Sequence, residues 1–337
     1  MHNELTHFLD TLCSRGIWAR DGKTVIGGTQ GNATNQLHSP EGIYIDSTNA
    51  LYIVDRLNHR IIKWEQEAIT GNVVAGGIGP GVKPGELFQP RAITVDKQGT
   101  MYIIDNSMPG SRVTRWQKGS KVGDVLFEFK HIIAGGIAFD PNDEDYLYLA
   151  DRYEHSVLRF NIKNITGNGE IVAGGNHIGP ALNQLEQPTH IVIDGNRNLN
   201  IADTRNSRIV VWSEGAKVGV VVGGGHGAGN RTDQLSFPEA FFLDRRTNTI
   251  YVADKNNNRV MRISADSPNA GFVIAGNNGK GNAAYQLSSP HGIALDSKGN
   301  LYVSDNENDR IQMFMCSSSA KFIGSLYFIT LTIIFIQ

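Results

Sequence analysis

Leu51-Tyr-Ile-Val-Asp55 returns five more times along this chain, as Met101–Asp105, Leu147–Asp151, Leu199–Asp203, Ile250–Asp254 and Leu301–Asp305. Each copy follows a second short apolar run that also ends in aspartate, at Asp46, Asp96, Asp140, Asp194, Asp244 and Asp296, so successive units start 44 to 54 residues apart. Periods of that length belong to propeller blades and related arrays, and they constrain the fold before any local pattern is weighed.

Within the first unit, Gly42–Asp46 and Leu51–Asp55 are β-branched and aromatic runs separated by Ser47-Thr-Asn-Ala, a turn composition, and read as a hairpin. Ile61–Trp64 and Asn72–Gly77 supply two further strands, and a glycine-rich connection from Ile78 to Gln89 leads to Pro90 and the next unit. No segment of the repeat keeps apolar residues three and four apart, so helices are not expected inside it. Four-stranded sheets without covering helices hide their faces by packing radially against one another. The expected fold is all-β: a six-bladed β-propeller of four-stranded antiparallel blades. Lys23–Gly28 is an outermost-strand phrase with no blade before it, whereas Pro290–Met315 has three strands and lacks the outermost one. The N-terminal strand is therefore predicted to complete the sixth blade and close the ring. The expected organisation is an extension over 1–16, the propeller over 17–316, and a Ser-rich linker with an apolar tail over 317–337.

The formal net charge of −2 and a pI near 6.6 provide no basic stripe, so attraction to nucleic acid has no basis in the sequence. The 38 glycines among 337 residues suit short strands joined by many turns.

The pairing of Pro40–Asp46 with Leu51–Ile61, repeated as Pro290–Asp296 with Leu301–Ile311, resembles the NHL repeat, with Asn58/Arg60, Asn206/Arg208, Asn257/Arg259 and Asn308/Arg310 in equivalent places. The resemblance covers residues 17 to 315. It implies a six-bladed propeller used as a platform for a protein or other ligand, without naming the partner. Blade 3 departs from the pattern. It has His155-Ser156 instead of Asn-x-Arg, and it joins Ile133-Ala-Gly-Gly136, in outermost-strand style, directly to Ile137-Ala-Phe-Asp140. Blade 2 stretches its turn with Ser107-Met-Pro-Gly-Ser before Arg112.

The aspartate that ends each second strand is read as a turn cap that pairs with the following arginine rather than as a metal ligand, because one carboxylate per blade does not converge on a point. Trp64, Trp116, Phe160, Trp212 and Phe314 are read as packing between blades. The glycine-rich segments Gly76–Gly85, Gly223–Gly229 and Gly276–Gly281 lack the following helix that a phosphate loop requires.

Variation is greatest just after the proline that opens each innermost strand, at Glu41, Arg91, Thr189, Glu239 and His291. In a closed ring, blades 5, 6, 1 and 2 are consecutive. Glu239, His291, Glu41 and Arg91 should therefore form one polar arc near the central mouth, and these four are the candidate ligand-binding residues. The main alternative is a metal-dependent propeller enzyme. The repeat is similar to that of the amidating lyase acting on peptidyl-hydroxyglycine, which holds zinc through histidines in this register, but here only His291 occupies it and His190 sits one residue late. A calcium-dependent lactonase would draw on Glu41 and Glu239. The expectation is a non-catalytic platform with no cofactor, binding a protein or small ligand.

Only two cysteines are present, Cys13 before the closing strand and Cys316 at the end of the strand beside it, and a Cys13–Cys316 disulfide is expected. Such a bridge implies an oxidising compartment. No basic start with an apolar core is read at the beginning of the sequence, which leaves a cytoplasmic protein or an incomplete start as the alternatives. Phe322–Ile336 is fifteen residues without a charge, short of the roughly 20 that span hydrocarbon, and reads as a marginal membrane tail. The balance favours an extracellular or membrane-associated protein.

Overall fold

The computed structural model describes residues 17–164, 169–276 and 278–316. A short strand, β1 (Lys23–Gly27), precedes the first blade. Blade 1 consists of β2 (Pro40–Ile45), β3 (Leu51–Asp55), β4 (Arg60–Trp64) and β5 (Asn72–Gly76). Blade 2 follows with β6 (Ala92–Val95), β7 (Met101–Ser107), β8 (Gly110–Trp116) and β9 (Asp124–Phe129). Blade 3 is β10 (Ala134–Phe139), β11 (Tyr146–Asp151), β12 (Ser156–Asn161) and β13 (Glu170–Gly174). Next come β14 (His190–Ile193), β15 (Leu199–Asp203), β16 (Arg208–Trp212) and β17 (Val220–Gly224) as blade 4. Blade 5 contains β18 (Pro238–Asp244), β19 (Thr249–Asp254), β20 (Arg259–Ser264) and β21 (Ser267–Ala275). The last three strands are β22 (Pro290–Leu295), β23 (Leu301–Asp305) and β24 (Arg310–Phe314). All six sheets are four-stranded and antiparallel, and the sixth has the order β1-β24-β23-β22.

The ring is thus closed by the N-terminal strand, as the sequence predicts. Lys23 pairs with Met313, Thr24 with Gln312, Ile26 with Ile311 and Gly27 with Arg310. Trp18 extends the seam by bridging Cys316, donates from its indole N–H to the Gly299 carbonyl at 2.9 Å, and meets Tyr251 edge to face at 5.4 Å. Cys13 and the apolar tail lie outside the described residues.

Each apolar cluster joins two adjacent blades. Trp64 packs with Ile26, Tyr302 and Ile311; Trp116 with Tyr52 and Val54; Phe160 with Tyr102 and Phe127; Trp212 with Tyr148; and Phe314 with Tyr251. At 25 cal/mol per Å2, burying an aromatic side chain of this size contributes roughly 4–6 kcal/mol before the entropy of ordering it is counted. The closing aromatics are therefore the mortar between blades, in agreement with the sequence reading.

The repeated aspartate and arginine form the second fastening. Asp55 accepts the His38 backbone N–H at 2.8 Å and receives Arg60 Nε at 2.7 Å and Asn58 Nδ2 at 2.8 Å. The rest of the Arg60 guanidinium reaches out to the carbonyls of Asn32, Ala33 and Gln36, clasping the loop that enters the blade. The same clasp recurs with Asp105–Arg112, Asp203–Arg208, Asp254–Arg259 and Asp305–Arg310. At the exit of the outermost strand, Gly76 has φ +68° and approaches His59 so closely that a Cβ would lie 2.3 Å from its carbonyl oxygen, so this corner requires glycine.

One expectation is corrected, and the irregular junction of blades 2 and 3 takes a definite form. The turn after the aspartate is a single 3-10 turn in four blades, at Arg56–Asn58, Thr204–Asn206, Lys255–Asn257 and Asn306–Asn308, each ended by a left-handed residue. The phrase Ile133–Gly136 does not form the outermost strand of blade 2. That strand is β9, whose Phe127 and Phe129 bury against Phe160, while Ala134 opens the innermost strand of blade 3 opposite Asp151. The stretched turn of blade 2 becomes a longer hairpin in which Arg112 still pairs with Asp105.

Candidate ligand site on the axial face

In every blade the innermost strand starts, and the second strand ends, on the same face of the ring, because neighbouring strands are antiparallel. The ladder fixes which residues meet there. Pro40 lies opposite Asp55, Ala134 opposite Asp151, Pro238 opposite Asp254 and Pro290 opposite Asp305. The residue after the first member of each pair therefore neighbours the residue after the second. In ring order these couples are Glu41 with Arg56, Arg91 with Asn106, Gly135 with Arg152, Thr189 with Thr204, Glu239 with Lys255, and His291 with Asn306.

The four residues predicted from sequence lie on this face and interact. Glu41, 7% exposed, takes Arg56 at 3.3 Å and Arg91 of the next blade at 3.9 Å. Glu239 takes Lys255 at 3.2 Å and His291 of the next blade at 3.9 Å. Burial alone would raise the Glu239 carboxyl, but His291, Lys255 and Arg152 together hold it down at about 2, so it is ionised throughout the physiological range. Burial lowers the His291 imidazole against the opposing pull of Glu239 and Glu41. Thr189, in the same register, shares a 2.5 Å hydroxyl contact with Thr204 and donates to the Glu239 carbonyl at 2.7 Å.

His190 faces elsewhere, as its offset register predicts. Its ring meets Phe241 edge to face at 5.0 Å, and burial depresses it to about 4, so it is neutral near pH 7. Among the described residues no three His, Cys, Asp or Glu side chains converge to hold a metal ion. Nor does any helix among them have the length and apolarity to cross a membrane.

Sequence reasoning missed the residue that follows each second-strand aspartate. Four cations occupy the twelve positions, namely Arg56, Arg91, Arg152 and Lys255, against the carboxylates Glu41 and Glu239. The face thus carries an excess of positive charge on a chain whose net charge is −2. The signal was available in the sequence, one residue beyond the phrase that defines the repeat.

A cleft of about 390 Å3 also opens at the rim between blades 3 and 4, beside Tyr148, Arg159, Arg197 and Trp212. Its arginines are already engaged, Arg159 by Glu170 at 2.6 Å and Arg197 by Asp140 at 3.0 Å.

Residues 287–314, the sixth unit, match the family model described as the NHL repeat. The sixth blade of this six-bladed propeller thus matches an NHL repeat. The chain is similar to NHL repeat-containing protein 3 of Homo sapiens, with 39% identity over 87 residues, a match that spans 24% of this chain and 23% of that protein. Among solved structures, the chain superposes on an auxiliary nutrient binding protein from Bacteroides ovatus with a TM-score of 0.66 and 14% identity, covering 88% of this chain and 76% of the other. A streptogramin B lyase superposes with a TM-score of 0.55 and 13% identity, over 87% and 97%. At such identities the likeness concerns fold alone.

Proposed function

We propose that this propeller is a non-catalytic platform that takes a protein or small ligand on its axial face, with Glu41, Arg91, Glu239 and His291 at the centre of the contact. The observation that carries this reading is the convergence of those side chains from four consecutive blades. The blades themselves are held by other groups, the interblade aromatics and the aspartate-arginine clasps, so the axial ionisable residues are available for recognition. A nutrient-binding protein among the structural neighbours is in keeping with it. A lyase among them favours a second reading, an enzyme working from the same face.

Both readings meet in one experiment. The purified chain is screened against metabolite and protein panels by thermal shift and direct binding, and every hit is repeated on E41A/R91A/E239A/H291A. A platform predicts at least a tenfold loss of affinity, about 1.4 kcal/mol, with an unchanged ligand and no turnover. Binding indifferent to the four substitutions would overturn the site, and metal-dependent consumption of a hit would establish the enzyme.

We further propose that Cys316, on the ring seam, is joined to Cys13, that the protein works in an oxidising compartment, and that 317–337 adds a membrane-associating tail to the 17–316 propeller. Nonreducing peptide mapping tests the bridge, and two free thiols would refute it. Membrane fractionation with and without 317–337 tests the tail.

A further inference from the structure

The axial couples of blades 1, 3 and 5 share one design with a single exception. In blade 1 the cation Arg56 stands against the carboxylate Glu41, and in blade 5 Lys255 stands against Glu239. In blade 3 the cation is Arg152, but the acid's place is taken by Gly135. The Arg152 stem lies over that glycine, where a Cβ would come within 3.0 Å of its Cδ. The backbone N–H of Arg152 donates to the Ile133 carbonyl, whereas its guanidinium has no hydrogen bond or ion pair among the described residues, and its Nε is both out of solvent and unpartnered. The charges acting on it most are Arg91, Glu239, Glu41 and Arg205.

Arg91, from the neighbouring blade, is nearly as open. Its contact with Glu41 is a 3.9 Å ion pair, beyond hydrogen-bond length, and its Nε is also buried without a partner. A buried N–H left without an acceptor costs about 1–3 kcal/mol, more when charged. An oxyanion placed over blades 2 and 3 would supply acceptors to both arginines, in the bidentate geometry that guanidinium groups favour.

We propose that Arg152, seconded by Arg91, is the oxyanion-receiving position of the axial face, so that the ligand presents a carboxylate or phosphate group there. The proposal rests on the axial-face reading above and narrows its ligand class. Glu41, which reaches Arg91 at 3.9 Å, and Glu239 flank this position, so the remainder of such a ligand is neutral or carries hydrogen-bond donors.

The test titrates the full chain with acetate and with inorganic phosphate at constant ionic strength held by chloride, reading thermal shift and the arginine Nε–H resonances. The expected result is a saturable response to an oxyanion in the wild type, weakened at least tenfold in R152Q and partly retained in R152K. R231Q should behave as wild type, because Arg231 pairs with Asp233 on an exposed loop. Should R152Q fail to fold, R91Q gives the same reading. A response no greater than that to chloride, or one unchanged in R152Q and R91Q, would overturn the proposal. Arg152 is not among the four residues of the platform test. A screened ligand lost in the fourfold variant but kept in R152Q would therefore refute this inference alone.

Discussion

Replacing Arg208 by alanine tests whether the aspartate-arginine clasp holds the ring or merely decorates it. Arg208 donates from Nε to Asp203 at 2.7 Å and from its terminal nitrogens to the carbonyls of Pro180, Ala181 and Gln184 at 2.6, 3.0 and 3.0 Å. Asp203 is fully buried and would keep only the Glu186 backbone N–H at 2.6 Å and Asn206 Nδ2 at 2.9 Å. Breaking a buried pair from one side costs about 3–5 kcal/mol, because the remaining charge is stranded. For a chain of this size that corresponds to a fall in melting temperature of about 4–7 °C. Arg231→Ala is the control, since its partner Asp233 is a neighbour on an exposed loop and such solvent-screened pairs contribute little.

The sign of the pH dependence follows from burial. Desolvation raises the Asp203 carboxyl in the folded protein, against its hydrogen bonds and Arg208. Removing Arg208 raises it further, so the protonated form is increasingly preferred when folded. The penalty of the substitution should then shrink as pH falls through that raised range and be largest at neutral pH. Urea melts of the wild type, R208A, D203N and R208A/D203N at pH 7 and pH 5 measure it. A loss at pH 7 no larger than that of R231A, or a double variant that loses the sum of the two single losses, would refute the clasp.

Two further outcomes are expected. His190 stays neutral in the fold down to about pH 4 while the unfolded chain protonates near 6.5, so acidification across that window should cost up to about 3 kcal/mol. His190→Phe, which keeps a ring against Phe241, should flatten that part of the stability profile, and equal slopes in the two proteins would contradict it. Trp18→Ala removes a buried indole together with its bond to Gly299 and should lower stability by about 3–5 kcal/mol in chemical denaturation; a change below about 1 kcal/mol would show that β1 alone secures the seam.

Much of the architecture was legible because the determinants repeat. Leu51–Asp55 and its copies combine β-branched and aromatic residues with a terminal aspartate whose turn role is local, so spacing alone delivers strands, blades and closure. The junction of blades 2 and 3, where the sequence departs from the repeat, is irregular for a physical reason. Ile133-Ala-Gly-Gly136 has the composition of Val74-Ala-Gly-Gly77, yet the outermost edge went to Asp124–Phe129, whose phenylalanines bury more apolar surface against Phe160. Composition cannot rank two segments that compete for one edge; packing against the next blade does.

Of the axial site, the proline register exposed Glu41, Arg91, Glu239 and His291, because proline marks where each innermost strand begins. Arg152 escaped that search. Blade 3 has no proline opening its innermost strand, and the importance of Arg152 comes from what is missing opposite it, a side chain at Gly135.

Closing the ring with β1 has a consequence for how the protein is made. The strand that completes blade 6 leaves the ribosome first, while its partner β24 is synthesised nearly 290 residues later. At 5–20 residues per second the interval is roughly 15–60 s. Throughout it, the emerging molecule is an open arc with a sticky flank at either end, and any strand of suitable pattern, including one from a neighbouring nascent copy, can dock there before the rightful one arrives. Yield during expression should consequently depend on translation speed and chaperone supply far more than the stability of the finished ring would suggest.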